Sequence, residues 1–152
     1  GLPPLLRETD IPDRAWFGQV PKIILDIRGK KAERLIPKVI AAAEAYPYQG
    51  YIMWPGPNSN TFTAFIGRQV PELGLVMPAN AIGKDYLGRF KFFSRAPSAT
   101  GYQISFWGIL GVLVATHEGL EINFLSLVVG ISPRYFLLKI PCVGDFGLKI
   151  LA

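Results

Sequence analysis

One stretch near the middle of the chain, with the sequence WPGPNSNTFT at residues 54–63, constrains the fold more than any other. Two prolines and a glycine prevent regular structure up to Pro57, because the proline ring fixes the backbone and removes a hydrogen-bond donor. Asn58, Ser59 and Asn60 follow, and their side chains accept hydrogen bonds from the free N–H groups of a first helical turn. We therefore predict that a helix begins here.

The residues after this start repeat with helical spacing. Four apolar side chains fall on one face of the predicted helix: Phe62, Phe65, Ile66 and Val70. We expect the helix to pack inward and to point its N-terminus at the space in front of the Trp54 loop. That end has a partial positive charge and free N–H donors, which suit an anion or a nucleophile.

The composition predicts a domain that needs a partner. The 152 residues are enough for a single domain, 1–152, with a buried core, and half of them are hydrophobic while only 18% are charged. The mean hydropathy is +0.29, which is high for an isolated soluble domain. The surplus apolar surface fits an unusually large core, a partner interface or a membrane contact. We expect contact with other protein subunits, with membrane contact as the second alternative.

The charge and the cysteine count exclude other classes. The net charge is +5, and the basic residues are spread from Arg7 to Lys149 without a concentrated patch, so no nucleic-acid partner is expected. Cys142 is the only cysteine, which excludes an internal disulfide and a cysteine-rich zinc site. We expect no cofactor.

The beginning of the chain and its longest apolar run bear on targeting and membranes. The first residues, GLPP, contain no initiator methionine and no signal-peptide pattern, so we expect a fragment that lacks an N-terminal segment. The longest apolar run, residues 104–115, is too short to cross a bilayer as a helix, and His117, Glu118 and Glu121 separate it from the next run. No transmembrane helix is expected.

The first half of the chain alternates strand-like and helical patterns. Residues 23–27 and 51–54 are short β-prone runs and are predicted as strands. Residues 31–46 repeat apolar side chains at helical spacing and are predicted as an amphipathic helix, in which Pro37 is expected to shift the start or bend the axis. The central helix is expected to end before Gly74, which suits a left-handed C-cap.

Two apolar runs dominate the last third of the chain. Residues 102–115 and 120–131, joined by the turn sequence THEG, are predicted as a long β-hairpin with two apolar faces, both covered. Further strands are predicted at residues 90–95, 135–140 and 148–151, with turns at 132–133 and 144–145. The predicted fold class is α+β, with two helices packed on an antiparallel sheet that ends in this hairpin.

Ser59 admits two interpretations. A hydroxyl in the first turn of a helix is most often a cap that stabilises the helix by about 1 kcal/mol. As a nucleophile it would need a base, and the single histidine, His117, lies in the predicted hairpin turn far along the chain. No G-x-S-x-G elbow surrounds Ser59.

The other polar clusters are typical of solvated surface. Lys84 and Asp85 follow a glycine in a loop, where adjacent side chains of this kind diverge in most backbones and are usually solvated or form a salt bridge of small value. His117, Glu118 and Glu121 have the spacing H-E-x-x-E, which lacks a second histidine, and neighbours on a strand face opposite ways. We expect no metal site.

Three motifs resemble the signature of an uncharacterised bacterial envelope protein family, a domain of unknown function. They are WPGPNSNTF at residues 54–62, VPELG at 70–74 and AIGKDYL at 81–87. The segment NSNTF also resembles, more distantly, the Asn-Cys-x-x-Phe motif of permuted papain-like proteins of the NlpC and lecithin:retinol acyltransferase type. In those proteins the cysteine opens a helix and a histidine comes from an earlier strand. Ser59 stands at the cysteine position, so the resemblance implies a permuted papain-like domain with a changed nucleophile.

These expectations lead to one function and two alternatives. The first is a non-catalytic or degenerate papain-like domain that acts as a structural or interaction component of a bacterial envelope assembly, periplasmic or membrane-associated. The second is an amidase, peptidase or acyltransferase with Ser59 as nucleophile and a histidine from the missing upstream segment. The third is ligand binding in the groove beside Trp54 and the start of the central helix. The expected binding residues are Trp54, Asn58, Asn60, Thr61, Lys84 and Asp85.

Overall fold

A computed structural model of the protein describes residues 18, 20–132, 134, 137–141 and 144–147. Within these residues, two helices precede an antiparallel sheet of seven strands, so the predicted α+β class is confirmed. The helices are α1 (Gly29–Glu44) and α2 (Ser59–Gln69), and a short 3-10 helix (Pro71–Leu73) follows α2. The strands are β1 (Phe93–Arg95), β2 (Gly101–Phe106), β3 (Leu110–Ala115), β4 (Gly119–Phe124), β5 (Leu127–Ser132), β6 (Leu137–Ile140) and β7 (Gly144–Gly147).

The sheet is an antiparallel meander in which each strand pairs with the next one along the chain. The connections from β2 through β5 are tight turns. Because such contacts are local in sequence, little chain entropy is lost in closing them. The predicted edge strand within residues 90–95 is present as β1, at one edge of the sheet.

The predicted start of α2 is confirmed. Asn58 is its N-cap in extended conformation, and the helix continues for 11 residues. Helix α2 ends at Gln69, and Gly74 adopts the predicted left-handed conformation, but as the cap of the 3-10 helix that follows. The helix therefore ends slightly earlier than the C-cap glycine suggests.

Helix α1 is confirmed with its bounds shifted by two residues. It begins at Gly29 and continues through Pro37, so the expectation that this proline moves the helix start is wrong. Packing explains why the helix tolerates the lost backbone donor. Buried residues of α1, α2 and the C-cap of α2 form one apolar cluster: Leu35, Ala42, Ile66 and the C-cap residue Val70.

The strands predicted at residues 23–27 and 51–54 are wrong. Both segments are irregular, and Ile23 and Ile52 are more than half exposed. A β-prone run becomes a strand only where a partner strand supplies the hydrogen bonds and the packing. Here all seven strands of the sheet come from residues after 92 and pair with one another.

The predicted long hairpin is in fact four shorter strands. The central turn at residues 116–118 is confirmed, but each predicted arm contains a further tight turn. In the first arm Trp107 and Gly108 have φ of 55° and 73°, and in the second Leu125 and Ser126 have φ of 52° and 64°. Tryptophan and leucine rarely adopt this left-handed conformation, which is why the residue types did not predict these turns.

The prediction that both faces of the hairpin are apolar is wrong. Along β2 and β3, Ile104 and Val112 are exposed, whereas Gln103 and Ser105 are buried. The outward face is therefore apolar, and the inward face is mostly polar or small, with Leu113 and Val128 as its buried apolar side chains.

The end of the chain matches the predictions in part. Strand β6 lies within the predicted segment 135–140 and is confirmed. The turn predicted at 144–145 is wrong, because these residues begin β7 and pair with β6. The strand predicted at 148–151 lies outside the described residues, as does residue 133 of the predicted turn at 132–133. In the part of the chain that the structure describes, none of the helices combines the length and the apolar character needed to span a membrane.

Candidate functional site

The first candidate site lies at the N-terminus of α2. Asn58 is buried, and its Oδ1 accepts hydrogen bonds from the backbone N–H groups of Asn60 and Thr61, at 3.0 and 3.1 Å. Thr61 Oγ1 accepts in return from the backbone N–H of Asn58 at 3.1 Å, which completes a capping box. The cap is therefore Asn58, and Ser59 is an exposed residue in the first position of the helix.

The side-chain amides of Asn58 and Asn60, at the start of α2, donate hydrogen bonds to the backbone of a neighbouring loop that contains Ile82. Asn58 Nδ2 donates to the carbonyl of Ile82 at 3.0 Å and to that of Met53 at 2.9 Å. Asn60 Nδ2 donates to the same Ile82 carbonyl at 2.9 Å. Trp54 is half-exposed. These amide donors are thus engaged with backbone carbonyls.

The neighbouring loop, which contains Ile82 and Gly83, contacts the start of α2 at this glycine. Thr61 Oγ1 donates to the carbonyl of Gly83 at 2.7 Å. Gly83 has a φ of +95°, and a Cβ built there would lie 2.4 Å from the Asn58 side-chain amide, so this position requires glycine. Asn58, Asn60 and Thr61 therefore position the loop that carries Lys84 and Asp85 into the interior.

The second candidate site, here named the ion cluster, consists of four buried charged side chains: Lys84, Asp85, Glu121 and Lys139. Lys84 Nζ lies 3.1 Å from Asp85 Oδ1 and 2.5 Å from Glu121 Oε2. Lys139 Nζ donates to the other carboxylate oxygen of Glu121. Two positive and two negative charges therefore meet on the inward face of the sheet, and none of the four residues is more than 6% exposed.

Of the two roles expected for Lys84 and Asp85, solvation is wrong, because both side chains are buried and form an ion pair with each other. Burial by itself lowers the pKa of Lys84, but the charges of Asp85 and Glu121 outweigh it and raise that pKa above its usual value. Burial likewise raises the pKa of Glu121, but the charges of Lys84 and Lys139 outweigh it, and the pKa is lowered. Lys84 and Glu121 are therefore both charged at neutral pH.

The strand register explains how Lys139 reaches Glu121. Glu121 on β4 lies opposite Gly130 on β5, and Gly130 lies opposite Lys139 on β6. A Cβ at Gly130 would lie 2.5 Å from the carbonyl oxygen of Leu120 and 3.1 Å from Glu121 Cγ. The glycine leaves room on the inward face of β5 for the contact between its two neighbouring strands.

Sequence reasoning missed three polar residues of this region: Gln103, Asn123 and Lys139. All three are buried on the inward face. A signal for them is present, because Gln103 and Ser105, and likewise Glu121 and Asn123, stand two residues apart on single strands. That spacing indicates one shared face, although it does not indicate which face is covered.

Arg68 joins α2 to the sheet. Its Nη2 donates to Gln103 Oε1 at 2.9 Å and to the carbonyl of Lys84 at 2.8 Å, and its Nε donates to the carbonyl of Arg95 at 3.0 Å. Burial lowers the pKa of Arg68 to about 10, against the opposing effect of the Asp85 charge. The guanidinium therefore connects the helix, the loop and β2.

His117 and Glu118 lie apart from the start of α2. Glu118 is buried and accepts hydrogen bonds from the backbone N–H and the hydroxyl of Ser98. His117 lies beside Gly74, where a Cβ would be 3.8 Å from His117 Cε1. Gly74 follows the C-terminal end of α2, and that end of the helix is about 15 Å from Ser59. Among the described residues, no group of three or more His, Cys, Asp or Glu side chains is arranged to hold a metal ion.

A cavity of about 120 Å³ lies beside the middle of α2. Its walls include two tyrosines, Tyr48 and Tyr86, and two cationic residues, Arg68 and Lys91. Burial raises the pKa of Tyr48, so this phenol is neutral at physiological pH. Trp54 is not part of the cavity wall, and the space beside α2 therefore differs from the groove expected from the sequence.

The outward surface of the sheet, here named the outer face, carries three rows of apolar side chains that pair directly across the strands. The rows are Ile104, Val112, Ile122 and Val129; Tyr102, Val114, Leu120, Ile131 and Leu138; and Phe106, Leu110, Phe124 and Leu127. Each of these residues is between 39% and 62% exposed. From the usual strand spacing, β2 to β5 alone present a flat area on the order of 400 Å².

Together these features define an α+β domain in which α2 and the loop after it contact the inward face of the sheet through buried charged side chains. Residues 2–86 match the family described as "Protein of unknown function (DUF3750)". This match covers more than half of the chain, and the chain therefore belongs to that family, which confirms the predicted membership of an uncharacterised domain family. The matched residues include α1, α2 and the loop with Lys84 and Asp85, and they end before β1. Neither the curated proteins nor the solved structures contain a match.

Proposed function

We propose that the chain is a non-catalytic structural or interaction component whose outer face binds another protein subunit, a second copy of this chain. The observation that supports this proposal is the outer face itself. Its three rows contain no charged side chain, and every member is well exposed. Exposed apolar patches of this extent mark interaction sites on proteins.

The size of the outer face suits a protein interface. A stable interface buries about 800 Å² on each partner. The flat area on the order of 400 Å² understates the accessible surface, because half-exposed side chains project from it and β6 extends it. Two sheets that pack face to face, about 10 Å apart, interdigitate such rows of side chains.

A second copy is the occupant that the charges favour. In a two-fold dimer each surface meets its own image, so any charge near the axis would meet a like charge. The outer face has none in its three rows. Arg95, on the edge strand β1, lies opposite Tyr102 at the end of one row, away from the centre of the outer face.

We propose further that the assembly belongs to the bacterial envelope, periplasmic or membrane-associated, and that the domain is a degenerate relative of permuted papain-like proteins. The motif at residues 54–62 supports both parts of this proposal. Ser59 stands where the related motif has its cysteine, and a serine hydroxyl is a much weaker acid than a thiol. Loss of catalysis would leave the fold free to serve as a structural component.

Sedimentation velocity on the purified chain tests the self-association. We expect a dimer that the substitutions Val112→Lys and Ile122→Lys, at the centre of the outer face, convert to a monomer. Each substitution would place two unpaired ammonium groups in an apolar interface. Phe90→Lys is the matched control, because Phe90 is 83% exposed and precedes β1; this variant is expected to remain a dimer.

Two results would contradict this proposal. One is a wild-type chain that sediments as a monomer throughout the micromolar range. The other is a monomer that binds phosphatidylcholine vesicles and loses this binding in Ile122→Lys, since a membrane would then occupy the outer face.

The alternative function is an amidase, peptidase or acyltransferase with Ser59 as nucleophile. It is favoured by the exposure of Ser59 at the positive end of α2. His117 lies beside Gly74, beyond the C-terminal end of α2, so this alternative requires a histidine base from outside the described residues. A fluorophosphonate probe tests this alternative: it should label Ser59 and fail to label Ser59→Ala, while Thr63→Ala keeps the label. Absence of the label from wild-type Ser59 would count against the enzyme.

A further inference from the structure

A small cavity lies on the inward face of the sheet, next to the ion cluster. Its volume is about 10 Å³, and residues of β2, β3 and β4 form its walls together with Asp85. This volume is close to the minimum that holds one water molecule. The cavity is therefore large enough for a single small occupant.

A glycine creates this space. Ser105 on β2 lies opposite Gly111 on β3, and Gly111 lies opposite Asn123 on β4. Because Gly111 has no side chain, Ser105 and Asn123 face each other across two strand spacings, about 10 Å. A Cβ at Gly111 would lie 2.5 Å from the carbonyl oxygen of Ile104, so the gap cannot be filled from this position without moving the backbone.

Three side-chain atoms of residues that line the cavity have no hydrogen-bond partner among the described residues. They are Gln103 Nε2, Ser105 Oγ and Asn123 Oδ1. The three residues are 2%, 1% and 4% exposed, so bulk water does not satisfy these atoms. Buried polar atoms in folded proteins almost always have a partner, either from the protein or from an ordered water.

The other contacts of the two amides define what each presents to the cavity. Gln103 Oε1 accepts from Arg68, which has only donors, so the amide NH₂ of Gln103 is the free group. Asn123 Nδ2 donates to the Gly108 carbonyl at 3.0 Å and to Asp85 Oδ2 at 3.3 Å, so its carbonyl oxygen is the free group. The cavity thus offers one donor, one acceptor and one hydroxyl.

We infer that this cavity is a binding site for one water molecule. The water accepts from Gln103 Nε2, donates to Asn123 Oδ1 and exchanges a third hydrogen bond with Ser105 Oγ. A metal cation does not match this set, because the N–H of Gln103 would point at it. The bound water links β2 to β4 across Gly111 and extends the network of Arg68 and Gln103 to the ion cluster. The inference is independent of the proposed function.

Magnetic relaxation dispersion of solvent nuclei tests this inference, because it counts water molecules that stay buried in the protein. The variant Ser105→Thr keeps the hydroxyl and adds a methyl group whose volume is similar to that of a water, about 30 Å³. We expect this variant to hold one long-lived water fewer than the wild type. Ser59→Thr is the control, since Ser59 is exposed and lies outside the walls of both cavities; its count should equal that of the wild type.

An unchanged water count in a folded Ser105→Thr would overturn the inference. A high-resolution crystal structure of the wild type provides a second test that does not need the variant. A density peak within hydrogen-bond distance of the three atoms, about 2.7–3.2 Å, supports the water site. A direct contact between Gln103 and Asn123 that closes the cavity, or a cation at the peak, would overturn it.

Discussion

The inward face of the sheet carries mainly polar and charged side chains, and the outward face carries apolar ones. This is the reverse of the usual arrangement. On adjacent residues of β4, Glu121 is 2% exposed and Ile122 is 52% exposed, and on β6 Lys139 is 1% exposed and Leu138 is 49% exposed. A one-sided antiparallel sheet normally turns its apolar side chains to the core and its polar ones to solvent. Here paired charges join the sheet to the rest of the described chain, and most of its apolar side chains lie on the outside, with Leu113 and Val128 as buried exceptions.

The two faces therefore depend on different physical effects. Apolar contact is non-directional and tolerates exchange of one side chain for another. A buried ion pair is directional: the pair as a whole adds little stability over an apolar replacement, but removal of one partner leaves a buried charge without compensation. We expect single substitutions on the inward face to cost far more than those on the outer face.

The largest effect is expected from Glu121→Gln, which removes the charge that compensates both Lys84 and Lys139. We expect the free energy of unfolding to fall by about 3–5 kcal/mol, the usual cost of breaking a buried pair on one side. The measurement is urea unfolding at a concentration at which the chain is a monomer. Ile122→Gln, one residue along the same strand, is the control and should cost less than about 1 kcal/mol. Equal costs in the two variants would contradict the difference between the faces.

Lowering the pH should reduce the free energy of unfolding gradually, because protonation of Glu121 removes the same charge that Glu121→Gln removes. The pKa of Glu121 is lowered from 4.5 in the folded protein, so its stabilisation is complete above pH 4.5 and is lost as pH falls through the lower, folded pKa. The pKa of Lys84 is raised from 10.5, so its stabilisation is complete below pH 10.5 and is lost as pH rises through the higher, folded pKa. Both contributions are therefore complete between pH 4.5 and 10.5.

Unfolding measurements from neutral pH to about pH 3 test this expectation. The wild type should lose stability below pH 4.5, and Glu121→Gln should lose less over the same range. The exposed carboxylates Asp26 and Glu72 also have lowered pKa values, through hydrogen bonds from Arg28 and Lys38, but they are present in both proteins. An identical acid profile for the two proteins would show that Glu121 does not supply the pH dependence.

A smaller effect is expected from Gly130→Ala, which tests how β4 and β6 make contact across β5. The added Cβ would lie 2.5 Å from the Leu120 carbonyl oxygen and 3.1 Å from Glu121 Cγ. We expect a loss of about 1–3 kcal/mol, typical of overpacking, in thermal or urea unfolding. Gly50→Ala is the control, because a Cβ at Gly50 meets nothing within 4 Å. A Gly130→Ala variant as stable as this control would contradict the packing role of the glycine.

The sequence predicted the helical part of the fold better than the sheet, for a local reason. The start of α2 depends on side chains that act within three residues, such as the bond from Thr61 N–H to Asn58 Oδ1. The extra turns of the sheet depend on Trp107 and Leu125 in left-handed conformations, which their residue types disfavour. Neighbouring strands impose those conformations, and no short window of sequence contains that information.

The candidate site was predicted even less well, because its parts are distant in sequence. Lys84 meets Glu121, 37 residues later, and Lys139 meets Glu121 across 18 residues. The alternation of polar residues on the strands was visible, but Lys84 and Asp85 stand in a loop, where such adjacent side chains are usually solvated or only weakly paired. Only the register through Gly130 and the cap at Asn58 bring the charges together.

The smallest effect concerns that cap, which holds the loop leading to the inward face. Asn58→Ala removes the bonds from Asn60 N–H and Thr61 N–H as well as the donation to Ile82, and we expect a loss of about 1–2 kcal/mol in urea unfolding. Ser59→Ala, in the first position of the same helix, should change stability by less than about 0.5 kcal/mol, because Ser59 is exposed and is not the cap. If the two variants lose the same stability, Asn58 does not hold the loop, and the ion cluster must be positioned by the sheet alone. If Asn58→Ala also reduces the loss of stability below pH 4.5 that is assigned to Glu121, the loop and the ion cluster fold as one cooperative unit. The start of α2 then positions the charged side chains on the inward face.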